Sequence, residues 1–538
     1  MPRSPSPPFA LNDAPPKESP GSTAGVKDAR CPWTRLDVLA LLVLALLGVG
    51  GLVLLVHPWY DPVSDASVYL LCARAMAAGE GYAYLGEPFY LRAPGMAALA
   101  APFVGPNSVD FGAIHRVVSA FGVAGVALYF LFLRARIGTL LAFLCALLLW
   151  CLPGFHRLGS QVLSDVPGVA LLFGCLVLER WSARSGGVVR YALLGLAIGL
   201  GTYLRAGLVL LLPAIVLSRL VHHLLACRRA GPRTSAPWGG LTALAVVTVL
   251  AMAPWSLRNA GLERGPEPVD QTKQYSQSAL ILKEDYRDPS SAFVGVGALL
   301  ERVPKRAEEA LATLARLRFV KGETKESLAE AGAARIALAV LLAGCLLFAL
   351  FRRFEPAEIF VGGSLLAVAF FPTPFLDRYA LPVFLVALPT LVEGVCFLTR
   401  RFAGELIAAA MLVAWAALSF GPRDHWEEVR THHEAWTAHC AEIDGRLPGD
   451  ARIAAPRDWH HLSLFLGRPV YGLVYSIQDR GVGPGLNHVL KRYGLNTVIV
   501  VGRNYAADYT LEFYNRRGLR PIELPGLEEP TYILRVRP

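Results

Sequence analysis

The chain has 538 residues, 54% of them hydrophobic and only 17% charged, with a mean hydropathy of +0.43, which is too little charge to solvate a soluble protein of this length. The net charge of +10 would suit nucleic acid in a soluble chain, but in an apolar one it points first to basic loops kept on the cytoplasmic side. The nine cysteines include no CxxC pair and mostly sit in or beside apolar runs, so they read as small packing residues rather than a zinc site or disulfide framework. The composition is that of an integral membrane protein.

Residues 1–35 are rich in Pro, Ser and Gly and bury too little apolar surface to offset ordering, which predicts a disordered cytoplasmic tail. The apolar run 38–56 is long enough to cross a bilayer and is followed by no small-residue cleavage pattern, so it reads as an anchor helix. Further runs follow at 114–132, 140–151, 166–178, 192–203, 208–220, 241–255, 336–351, 359–371, 381–398 and 406–420. Together they predict a polytopic α-helical protein with about eleven crossings over residues 36–420.

Alternate connections are basic, carrying Arg134 and Arg136, Arg180, Arg184 and Arg190, Arg219, Arg228, Arg229 and Arg233, Arg352 and Arg353, and Arg400 and Arg401. That alternation predicts a cytoplasmic N-terminus and a C-terminus on the outer side. The remaining connections then share the outer face: an outer loop 58–110, the stretch 152–165, the turn at Arg205, an outer loop 258–335 and the stretch 372–379. Hydropathy falls beyond Phe420, and 452–455, 497–501 and 532–536 read as strands between helical stretches that include 425–443 and 486–493. Residues 421–538 are therefore expected to form a small extracytoplasmic α/β domain.

The unusual residues gather on that outer face. Asp65 opens D-A-S-V-Y-L-L-C-A-R, where Tyr69, Cys72, Ala73, Met76 and Ala77 fall at helical spacing and predict an amphipathic helix along the membrane surface. Asp65 alone reads as an N-cap, and so does Asp165 in S-D-V-P. Arg92, Arg205, Arg258 and Arg378 stand in the same outer connections, where the positive-inside rule disfavours them. Snorkelling to headgroups accounts for any one of these arginines. Four of them beside two carboxylates suit a different task, because a guanidinium fork fits phosphate oxygens and a carboxylate accepts a hydroxyl proton.

The ordered segments D-x-x-x-Y-x-x-x-A-R-x-x-x-x-G-x-G-Y from Asp65, R-A-P-G from Arg92, S-D-V-P, Y-L-R-A-G, P-W-S-L-R-N and D-R-Y-A-L-P resemble those of the membrane glycosyltransferases of the GT-C fold. The likeness is to the bacterial branch that includes aminoarabinose transferases and protein O-mannosyltransferases. It implies transfer of a sugar from a polyprenyl-phosphate donor to a lipid, glycan or protein acceptor, with inversion, at the outer face of a bacterial inner membrane. It also implies Asp65 as general base, Asp165 as the second acid, and Arg92, Arg258 and Arg378 at the donor phosphate, with Arg205 beside them. Tyr69, Tyr82 and Tyr379 are the pocket candidates. Ala66 stands where many relatives carry a second acid, so no divalent metal or other cofactor is indicated, and the absence of W-W-D argues against transfer of whole glycans to Asn.

Two features stay open on sequence. The loop 258–335 carries Tyr275, Lys283, Glu284, Asp285, Tyr286 and Arg287 before an amphipathic stretch 303–317, and reads equally as a lid over the site or as a structural loop. His432 and His439 share a helical face near His425 and His433, but no acidic or Cys partner stands at metal-ligand spacing, and a solvated or headgroup-facing surface is expected there and at His460 and His461. The competing functional class is a transporter or flippase of a phosphate-bearing lipid, which would place its ionisable residues nearer the bilayer midplane and show internal repeats.

Overall fold

The computed structural model describes residues 33–536 apart from 55, 62–63, 186, 231–237, 263–281, 283–291, 317–332, 371–376, 400–402, 420–423, 457, 474–489, 492, 503–504, 517 and 525–529. Every apolar run of the sequence falls on a helix, the structure that satisfies its own backbone hydrogen bonds within an apolar phase. In chain order the first part contains α1 (Arg35–Leu54), α2 (Ser64–Ala77), the two-residue strands β1 (Ala83–Tyr84) and β2 (Glu87–Pro88), α3 (Gly95–Ala100), α4 (Phe111–Ile137), α5 (Thr139–Cys151) and α6 (Pro153–Gly159). Then come α7 (Asp165–Ser185), α8 (Val188–Leu204), α9 (Leu211–Ala230), α10 (Trp238–Ala260), α11 (Val296–Arg316), α12 (Ala333–Arg353), α13 (Pro356–Ala369), α14 (Asp377–Leu398) and α15 (Gly404–Ser419). Among the described residues five helices, α4, α7, α9 with the turn before it, α10 and α14, are long and apolar enough to cross a membrane. A sixth span arises if α5 and α6, which meet at a 61° bend, count as one, and α8, α13, α15 and part of α12 are apolar but shorter. The protein is a mostly helical, polytopic membrane protein.

Two devices hold the bundle together. The first is a glycine seam between α8 and α10: a Cβ on Gly195 would lie 2.5 Å from the Leu244 carbonyl, and one on Gly199 would lie 2.5 Å from Ala251 Cβ. Without those side chains the backbones approach closely, and Thr248 Oγ1 donates to the Gly195 carbonyl at 3.2 Å. The second is a network of ion pairs at one end. Arg134 meets Asp37 at 3.0 Å, and Arg136 meets Glu358 at 2.9 Å and Glu393 at 3.1 Å while donating to Thr390. Arg353 also pairs with Glu393, and Arg219 with Glu179. These arginines belong to the connections expected inside, and they are paired across helices rather than left to water. Since α4, α7 and α14 each carry network residues toward their C-terminal ends, their N-terminal ends, at Phe111, Asp165 and Asp377, lie at the opposite end of the bundle.

Beyond the bundle, α16 (Asp424–Arg446), β3 (Ile453–Ala455), α17 (Trp459–Leu466), β4 (Val470–Gly472), β5 (Thr497–Val501), α18 (Tyr505–Asn515), β6 (Ile522–Leu524) and β7 (Thr531–Arg535) form an α/β unit. Its five-stranded sheet has the order β4-β3-β5-β7-β6, with β4, β3 and β5 parallel and β7 antiparallel to both β5 and β6. All five residues of β5 are buried because both faces are covered. Ile499 and Val501 pack with Cys440, Ile443 and Leu462 of α16 and α17, while Val498 and Val500 pack with Tyr514 of α18. The strands expected at 452–455, 497–501 and 532–536 are present, and β4 and β6 are additions too short to show a period in the sequence. Of the helix expected at 486–493, residues 486–489 and 492 lie outside the described residues, as does most of the expected tail. Among the described residues all cysteines are free.

Two changes probe these devices. Replacing Arg136 by Met strands the fully buried Glu358 and should cost about 3–5 kcal/mol in thermal unfolding of the detergent-solubilised protein; adding Glu358→Met should recover most of that loss. Gly195→Val pushes its side chain into the Leu244 carbonyl and should destabilise by about 1–3 kcal/mol in the same assay.

Candidate active site

Helix α2 begins beside Asp65 and ends in a Schellman cap, in which Glu80 N–H donates to the Ala75 carbonyl at 2.9 Å, Gly79 N–H donates to that of Met76 at 3.1 Å, and Gly79 takes φ +80°. The structure corrects the expectation of a one-sided surface helix. Ala66, Ser67, Val68, Tyr69, Leu70, Leu71, Cys72 and Ala73 are all buried, because α3, β1 and α17 cover the faces that a bilayer would otherwise have met. The carboxylate of Asp65 therefore sits at the N-terminal, electropositive end of an enclosed helix.

Each Asp65 oxygen has its own guanidinium partner. Arg92 Nη2 donates to Oδ1 at 2.5 Å and Arg378 Nη1 donates to Oδ2 at 2.8 Å. The two arginines come from different parts of the chain, one just after β2 and the other from the first turn of α14. Burial by itself would raise the Asp65 carboxyl, but the Arg92 and Arg378 charges and their hydrogen bonds outweigh it and hold the group at about 2. These bonds thus contribute stability in full above the ordinary carboxylate value of 3.8, and lose it only as pH falls toward 2.

The position of Arg92 is set by the β1–β2 hairpin. Its turn residues, Leu85 and Gly86, both have positive φ (51° and 81°), as a two-residue type I′ turn requires. Arg258, in the last turn of α10, clamps the base of the hairpin by donating to the carbonyls of Phe89 at 2.8 Å and Tyr82 at 2.9 Å. Its guanidinium lies 5.1 Å from the Trp255 ring and 5.6 Å from the Tyr82 ring. Tyr82 in turn donates its hydroxyl to the Arg92 carbonyl at 3.0 Å.

Asp165 starts α7, is buried, and accepts from Arg205 Nη1 at 2.5 Å. Gly168 permits this, since a Cβ there would lie 2.4 Å from Arg205 Cδ as the arginine crosses the first turn of the helix. Tyr69 links the two acids: its hydroxyl lies within electrostatic reach of both Asp65 and Asp165. Arg378 feels both carboxylates as well. The Arg92 guanidinium sits 5.6 Å over the Tyr69 ring and that of Arg378 sits 5.4 Å from the Tyr379 ring.

Asp65, Asp165, Arg92, Arg378, Tyr69 and Tyr379 thus form one cluster, with Arg205 reaching it through Asp165 and Arg258 through Tyr82. Four guanidinium groups face two carboxylates, so this set carries two positive charges in excess and suits an anionic ligand. Among the described residues no group of three His, Cys, Asp or Glu side chains could hold a metal ion. Of the long loop, α11 packs against α12, α13 and the Arg378-bearing α14, whereas Tyr275, Lys283, Glu284, Asp285, Tyr286 and Arg287 lie outside the described residues.

The histidines are distributed differently from the solvated face expected of them. His432 is exposed, but His439 is buried against Thr531 at 3.2 Å, and His433 Nδ1 accepts from Tyr60 N–H at 3.3 Å. His461 Nδ1 bonds Ser67 Oγ of α2 at 2.8 Å, and His460 Nδ1 bonds the Tyr84 hydroxyl of the hairpin. No local pattern marks this pair, since their partners lie more than 370 residues away in sequence. Asp61, buried and held by Gln161 and by Arg157 at 3.7 Å, is another polar site without a sequence signal.

No protein-family model matches the chain, and no curated protein matches it by sequence. Solved structures do. ArnT from Cupriavidus metallidurans bound to undecaprenyl phosphate aligns with 91% of this chain and 97% of its own, at a TM-score of 0.55 and 13% identity. The same protein in the apo state aligns at a TM-score of 0.52. The oligosaccharyltransferase of Archaeoglobus fulgidus in complex with Zn and sulfate aligns with 87% of this chain and 68% of its own, at 0.50 and 14% identity. Both proteins are GT-C fold glycosyltransferases, and the chain has their fold.

Proposed function

We propose that the protein is a membrane glycosyltransferase that moves a sugar from a polyprenyl-phosphate donor to a lipid, glycan or protein acceptor, with inversion. The observation that carries this reading is the Asp65 carboxylate bracketed by Arg92 and Arg378, in a protein whose fold is that of two glycosyltransferases, one of them solved with undecaprenyl phosphate. About eleven helices cross the bilayer in this reading, with the N-terminus cytoplasmic and the C-terminal sheet outside the inner membrane, so the cluster faces outward.

The chemistry follows from the ion pairs. The donor phosphate enters the cluster and takes hydrogen bonds from Arg92 and Arg378, exchanging one anion for another on the same two guanidinium groups. As their grip on Asp65 loosens, its carboxyl returns toward the ordinary range and becomes a better proton acceptor. The acceptor oxygen attacks the anomeric carbon, the carbon–oxygen bond to phosphate breaks, and Asp65 receives the acceptor's proton. Polyprenyl phosphate leaves with its developing charge held by the arginines. Asp165, fixed by Arg205, orients the acceptor through Tyr69, Arg258 maintains the hairpin that aims Arg92, and α11 is the fixed part of a lid over the donor.

Two experiments test the assignment. Asp65→Asn removes the base yet leaves both arginines for phosphate, so sugar transfer should fall about 100- to 10,000-fold while undecaprenyl phosphate binds at least as tightly as to the wild type. An unchanged rate would reduce Asp65 to a structural anchor. Replacing Arg92 or Arg378 by Lys keeps the charge but loses the fork and should raise the donor KM. The Ala variants should be worse, by about 2–4 kcal/mol in kcat/KM, whereas arginines that only snorkel would tolerate Lys.

A further inference from the structure

Helix α17 is the crossover of the β3-α17-β4 unit, so its place is fixed by the sheet. Its outer side is docked on α2. Arg74 Nη2 of α2 donates to the Leu464 carbonyl at 3.0 Å, and the chain Tyr60 hydroxyl, Ser67 Oγ, His461 Nδ1 runs with bonds of 2.5 and 2.8 Å. The two adjacent histidines on this helix do different things. His461 is buried and locks the sheet region to the back of α2. His460 is half-buried, lies with its ring tilted 52° to that of Trp459 at 4.4 Å, and spends Nδ1 on Tyr84. Among the described residues its Nε2 has no hydrogen-bond partner, and the ring lies within electrostatic reach of both Asp65 and Arg92.

Resting on the glycosyltransferase reading, we propose that His460 is an acceptor-binding residue, contributed to the site by the C-terminal sheet region, whose Nε2 exchanges a hydrogen bond with a hydroxyl of the acceptor. Direction supports the acceptor over the donor. A lipid-linked donor arrives along the apolar helices, whereas α17 reaches the cluster from the part of the chain that follows them. Charge supports a neutral partner. Burial, together with His461 and Arg92, pushes the His460 imidazole down to about 3, so it stays uncharged and adds no positive charge to phosphate binding.

The test compares three full-length variants. His460→Phe keeps an aromatic ring against Trp459 and loses both ring nitrogens, His460→Gln restores a polar group near the Nε2 position, and Tyr84→Phe removes the same Tyr84–His460 bond from the other side. Undecaprenyl phosphate binding to the purified proteins serves as the donor-side probe. Total sugar analysis of glycolipid and glycoprotein from a deletion strain carrying each variant reports acceptor modification. The expected result for His460→Phe is binding within about twofold of wild type, with modification below about a tenth. His460→Gln should recover a substantial part, and Tyr84→Phe should lose no more than a few-fold. A merely structural His460 would make His460→Phe and Tyr84→Phe equally mild, or would weaken undecaprenyl phosphate binding in step with modification, and either result overturns the assignment. If the wild-type protein itself neither binds undecaprenyl phosphate nor restores any sugar, the glycosyltransferase reading fails instead, and this one falls with it.

Discussion

A single carboxylate holding two guanidinium groups, one on each oxygen, fixes the arrangement of everything around it. Asp65 belongs to α2, Arg92 to the segment after the hairpin and Arg378 to the start of α14, so one ion triad ties three stretches that the chain delivers separately. Its cost in desolvation is offset only because each oxygen is matched and the helix end adds its own positive pole. The same triad is poised for exchange, since an arriving phosphate competes for groups already oriented toward an anion. In the proposed reaction, binding and activation of the base would then be one event rather than two.

Enclosure makes the triad usable. With α2 surrounded by α3, the hairpin and α17, the carboxylate lies where electrostatic interactions weigh more than in water. The sheet region takes part in that enclosure through Ser67, Arg74 and Tyr84. At the far end of the bundle, Arg136, Glu358 and Glu393 cross-link α4, α13 and α14. The protein therefore concentrates its buried charge at the two ends of its helices and leaves their middles apolar, as a bilayer demands.

Legibility in the sequence followed range. Apolar runs are local, and each one marked a helix; the strand β5, with its T-V-I-V-V run, was equally plain. Arg92 and Arg378 stood out because sidedness disfavours an arginine there, whereas Asp65 alone read as an N-cap and gained weight only from the arginines around it. That the two arginines close on the same carboxylate was not legible, since the pairings span 27 and 313 residues. Arg258 shows the same limit from the other side: its presence was evident, but its role as a clamp on the carbonyls of Tyr82 and Phe89 depends on a hairpin too short to carry any period. His460 had no signal at all. The amphipathic reading of α2 went astray because helical periodicity reports a buried face without saying whether lipid or protein buries the remainder.

The glycine seam between α8 and α10 also decides which parts of the site can yield. Helix α8 ends at Arg205 and α10 carries Arg258 in its last turn, so with the two backbones in contact at Gly195 and Gly199 these arginines ride on one stiff plank. Because Arg258 also clamps the base of the hairpin, the same plank braces Arg92, and of the four arginines of the cluster only Arg378, at the head of α14, is held apart from it. Under the proposed function, the fit to a bulky lipid headgroup would then fall to the head of α14, the one stretch of the cluster not tied to the glycine seam.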